Sequence, residues 1–80
     1  RAQMRLQWND LNGAIADFTA AIRADSELAE AYGNRGLLYA QTGNKTSALQ
    51  DLQTAAKLFQ QQGNQEGYQE TLAYIQQLQR

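Results

Sequence analysis

The residues able to do chemistry in this chain of 80 residues are its carboxylates and amides. Asp17, Asp25, Glu27, Glu30, Asp51, Glu66 and Glu70 are scattered along it. None stands with a plausible base, nucleophile or glycine-rich phosphate loop. Glu66 and Glu70, one helical turn apart, share a face, yet a metal site wants more oxygen ligands and a concave setting. There is no His and no Cys, which removes imidazole acid–base chemistry, thiolate nucleophiles, disulfides and the usual zinc sites together. The expectation is a protein that is not an enzyme and holds no cofactor and no metal. The absence of Cys is compatible with any compartment, with the cytoplasm slightly favoured.

Seven basic residues against eight acidic ones give a net charge of -1, with no run of one sign. A nucleic-acid partner would need a basic stripe, and none is written here. No apolar run approaches a membrane span, so membrane insertion is not expected. Composition and charge name no ligand, and any binding surface must come from the fold. The chain begins at Arg1 rather than Met, which points to a fragment or a processed product.

The elements that would position such a surface are helical. There is no proline, and glycine supplies the punctuation. Ala2, Met4 and Leu6 form too short a series to set a period. Asn9 suits a turn and Asp10 a helix N-cap, and from Leu11 the apolar residues fall at 11, 14, 15, 18, 21 and 22, one face of an amphipathic helix. Gly13 within it suggests a close backbone contact. Asp25-Ser26 ends this run and offers caps to the next, which starts near Glu27 or Leu28 and continues to Gln41. Gly33 and Gly36 again imply close packing. Gly43 supplies a left-handed stop, and Asn44 caps a helix carrying Ala48, Leu49, Leu52, Ala55, Ala56 and Phe59 on one face. After Gly63, Asn64 caps a last helix with Tyr68, Leu72 and Ile75 in one stripe and Gln69, Gln76, Gln77 and Gln79 turned to water. No segment alternates as a strand does, so the fold class is all-α.

The chain also repeats itself. A shift of about 34 residues aligns Asn9-Asp10 with Gly43-Asn44, Ala14 with Ala48, Phe18 with Leu52 and Ala21 with Ala55. Helix pairs joined by tight turns at this period resemble the tetratricopeptide repeat family. Ala29 to Gln62 is the best copy: Tyr32, Gly36 and Tyr39 match the first helix, Gly43 the turn, and Ala48, Leu52 and Ala55 the small-large-small series of the second. Arg35 stands where the family has Leu, and Gln60 where it has Pro. The upstream copy is truncated, with Arg1 at the Leu position, Ala2 at the glycine and Arg5 at the aromatic.

This resemblance implies a short right-handed α-solenoid of antiparallel helix-turn-helix repeats. Residues 1–80 would form a single domain: 1–28 a truncated first repeat, 29–62 a complete one, 63–80 a capping helix. Helices near 1–7 and 28–42 would line an inner wall, and those near 10–24 and 45–60 an outer one. The small alanines would allow close approach, with Phe18 and Leu52 filling the space between repeats. The implied role is a scaffold that binds a peptide or partner helix in the concave groove, through Gln3, Gln7, Glu30, Gly33, Asn34, Leu37 and Gln41. Tyr32-Gly33-Asn34-Arg35 also resembles the Tyr-Ser-Asn-Arg stretch of members that clamp the acidic C-terminus of heat-shock chaperones. Asn34 matches that clamp. The basic residues expected from the next repeat are Asn64 and Tyr68 here, so the clamp is disfavoured. The alternative is a segment of a longer solenoid with no ligand of its own. In that reading Met4, Leu6 and Trp8 of the incomplete first repeat invite a second chain and make a homo-oligomer.

Overall fold

The computed structural model describes residues 8–80. They form four helices, α1 (Trp8–Ala24), α2 (Ala29–Gln41), α3 (Lys45–Gln61) and α4 (Gln65–Gln79), with no strand among the described residues. Each helix packs on the next in chain order. Turns this short return the chain on itself, so neighbours run antiparallel. The expected helix near 1–7, and with it Arg1, Met4, Arg5 and Leu6, lies outside the described residues.

Two junctions share one recipe. Gly43 and Gly63 take positive φ, +87° and +76°, which a side chain would resist. The following asparagines then cap the next helix. Asn44 Oδ1 accepts from the Ser47 amide at 3.3 Å, and Asn64 Oδ1 from the Gly67 amide at 3.0 Å. The α1–α2 junction is built differently. Asp25 does not cap α2: its Oδ1 accepts from the Glu27 amide at 3.0 Å, closing a turn, and Leu28 stands at the N-cap with no side-chain bond. Across this junction Gln62 Nε2 donates to the Glu27 carbonyl at 2.7 Å, tying the end of α3 to the start of the α2 segment.

Helix α1 begins at Trp8, earlier than expected, and Asp10 lies in its first turn rather than at its cap. A carboxylate is favourable in either place, because the first-turn amides and the helix dipole both attract it. Gly13 makes no close contact either; a Cβ there would meet nothing within 4 Å.

Helix α3 carries the core. Ala48, Leu52 and Ala55 are fully buried, and Ala56 and Phe59 nearly so. Ala29, Ala55 and Phe59 form a cluster on which Tyr32, Leu58 and Tyr68 rest, so α2, α3 and α4 share one apolar layer. Gly36 lets α2 reach α3: a Cβ there would lie 3.0 Å from Leu52 Cγ, 3.1 Å from the Ala48 carbonyl and 3.2 Å from Asp51 Cβ. Ala14, Phe18 and Ala21 are only half-buried, because α1 has a described neighbour on one side alone.

Candidate functional site

Faces of α2 and α4 spanning two to three turns flank α3, and a groove of about 450 Å³ opens between them. On α2 it is lined by Glu30, Gly33, Asn34 and Leu37, whose spacing of three and four residues places them on one helix face. On α4 it is lined by Glu66, Gly67, Glu70, Thr71 and Tyr74, again one face, with Asn64 at its head. Leu52 and Phe59 of α3 form the floor.

Two glycines give the groove its depth. Gly33 faces Ala55, whose Cβ would sit 3.8 Å from an added methyl. At Gly67 the backbone of α4 rests directly on the Phe59 ring, since an added Cβ would lie 2.7 Å from Phe59 Cδ1. Thr71 is buried and its hydroxyl donates to the Gly67 carbonyl at 2.7 Å, so it presents its methyl side rather than an unpaired polar group. Tyr74 keeps 39% of its surface exposed, more than the other tyrosine and phenylalanine rings. The groove is therefore apolar below and polar at its edge, the composition that suits binding of a side chain or short segment.

Of the residues expected to form a binding surface, Glu30, Gly33, Asn34 and Leu37 line the groove. Gln41, the last residue of α2, is exposed and lies outside the lining. Gln3 and Gln7 fall outside the described residues. The contribution of α4 went unanticipated: its helix was expected only to cover the last repeat. The 34-residue period, carried forward above only to test the clamp at Asn64 and Tyr68, also makes Asn64, Gly67 and Thr71 the equivalents of Glu30, Gly33 and Leu37.

A second cluster holds this wall in place. Arg35 donates to both carboxylate oxygens of Asp51, from Nε to Oδ2 at 2.7 Å and from Nη2 to Oδ1 at 2.8 Å. Its Nη1 donates to Thr19 Oγ1 at 3.1 Å, and that hydroxyl donates onward to the Ile15 carbonyl at 2.8 Å. The guanidinium lies over the rings of Tyr32 and Tyr39, 5.6 and 5.7 Å from their centroids. The planar fork suits both the bidentate pairing and the stacking. The hydrogen bond to Asp51 raises the Arg35 pKa above its ordinary value against the opposing pull of burial, so the charge is permanent. One side chain thus fastens α1, α2 and α3 together.

No group of three or more His, Cys, Asp or Glu that could hold a metal ion occurs among the described residues, and no described helix is long and apolar enough to cross a membrane. The family model described as tetratricopeptide repeat matches residues 29–62, which span α2, its turn and α3. No curated protein and no solved structure matches the chain.

Proposed function

We propose, from the premise that residues 29–62 are a tetratricopeptide repeat, that this chain binds an extended or helical segment of a partner protein in the groove between α2 and α4. Repeats of this family are typically non-enzymatic protein–protein interaction modules. The observation that carries the finer reading is the groove itself. Faces of α2 and α4 converge over Leu52 and Phe59, leaving Leu37 and Tyr74 for apolar contact and Asn34 for hydrogen bonding. A half-exposed tyrosine beside an apolar floor is the kind of anchor that dominates binding energy at protein interfaces.

The test is a triple change, Asn34→Ala, Leu37→Ala and Tyr74→Ala, at positions outside the fully buried core. Proteins captured from the native source by the wild-type chain are expected to be lost from the triple variant. The circular dichroism spectrum and melting temperature should show that the helices remain. Retention of every captured protein at undiminished affinity would refute the groove as the binding surface.

A further inference from the structure

The charges on the groove are all of one sign. Glu30 lines its α2 wall and Glu66 and Glu70 its α4 wall, and no Lys or Arg is found among the described residues that line it. Arg35, the basic residue nearest in sequence to the α2 wall, has its guanidinium committed to Asp51 and Thr19. Among the described residues none of the three glutamates is paired with a cation.

Two of the three have a role within the fold. Glu30 and Glu66 occupy the first turns of α2 and α4, where a negative charge meets the positive helix end. Glu70 does not. It lies one turn further in, on the same face as Glu66, and like charges at this spacing weaken a helix. Among the described residues no Lys or Arg pairs with Glu70, and a cation in the groove would offset that repulsion. The three carboxylates also fail to converge as a metal site would require. They are distributed along both walls, a layout that suits several cations spaced along a chain rather than one ion.

We propose that the occupant of this groove is a basic segment of a partner protein in which Arg or Lys side chains alternate with apolar ones. The cations pair with Glu30, Glu66 and Glu70 at the edge, and an apolar side chain rests on Leu37, Phe59 and Tyr74. Arginine has an added contact available, because the exposed Tyr74 ring stands one turn beyond Glu70. The same sign of charge repels a terminal carboxylate, so the acidic chaperone tail fits this groove poorly. This proposal rests on the groove reading above.

The probe is a labelled twelve-residue peptide of alternating Arg and Leu, with a twin carrying Glu in place of Arg, each titrated into the full chain by fluorescence anisotropy. The Arg peptide should bind and the Glu peptide should not. The variant Glu30→Gln, Glu66→Gln, Glu70→Gln should bind the Arg peptide about tenfold more weakly, the sum expected of three edge charge pairs. A control variant of equal charge change, Asp10→Asn, Asp17→Asn, Glu27→Gln, alters residues outside the groove and should lose less than about twofold. Equal losses in the two variants would mean diffuse attraction and would overturn the proposal. So would dimerisation of the chain abolished by the glutamine triple, which would make a second copy the occupant. The Glu peptide binding as tightly as the Arg peptide would overturn the cationic occupant; if that binding still fell in the Asn34→Ala, Leu37→Ala, Tyr74→Ala variant, the groove reading would stand alone.

Discussion

Arg35 links three helices through its bonds to Asp51 and Thr19. Its side chain keeps 17% of its surface exposed and that of Asp51 only 9%, so the pair lies between a surface ion pair and a fully buried one. Breaking it strands a partly desolvated carboxylate. Arg35→Leu is expected to cost about 2–3 kcal/mol, below the full penalty of a buried pair because solvent still reaches both groups. Adding Asp51→Ala should recover part of that loss, since no unpaired charge remains, and urea unfolding of the two single variants and the double isolates the coupling. A cation whose folded pKa is raised contributes its full stabilisation below its unfolded pKa and loses it only as pH climbs through the folded value. The Arg35 contribution should thus be the same at about pH 6 and about pH 9. A second comparison separates two helical glycines. Gly36→Ala drives a methyl into Leu52 and the Ala48 carbonyl and should cost about 1–3 kcal/mol, whereas Gly13→Ala meets empty space and should gain up to about 1 kcal/mol. Both are read from thermal melts.

At the scale of elements, the helix ends decide where the groove walls stand. Asn64 fixes the first turn of α4, and with it Glu66 and Gly67, through one side-chain bond. Asn64→Ala should cost about 1 kcal/mol and lower the protection of the Gly67 amide from hydrogen exchange, and Asn44→Ala should do the same for the Ser47 amide. These junctions were legible in the sequence because glycine followed by asparagine has a single local meaning there: a left-handed stop, then a cap. The start of α1 was less so, since Asp10 is as favourable inside a first turn as at a cap. The α2 wall could be read from Asn34 and Leu37 through the family pattern. The α4 wall could not be read from amphipathicity, which marks Tyr68, Leu72 and Ile75 as the packed stripe and leaves Glu66, Glu70 and Tyr74 among the solvated residues. Only the period would have found it. The bond between Arg35 and Asp51 follows from no local rule, because it depends on how α2 and α3 are rotated against each other across the turn.

For the whole molecule, order along the chain is order in space: α1 meets α2, α2 meets α3, α3 meets α4. Stability in such a stack is mostly a sum over neighbours. The residue types of this pair recur in the sequence at the same period, as Arg1 precedes Arg35 and Asp17 precedes Asp51 by 34 residues. One bond departs from the strictly local scheme. The Gln62 amide reaches back to the Glu27 carbonyl across 35 residues, so that α2 and α3 lie inside a closed loop of chain. Fraying of the last turn of α3 therefore removes this bond from the α1–α2 turn as well. The two ends of residues 29–62 are thus joined by a bond worth about 1 kcal/mol, which favours their opening together over peeling from one side.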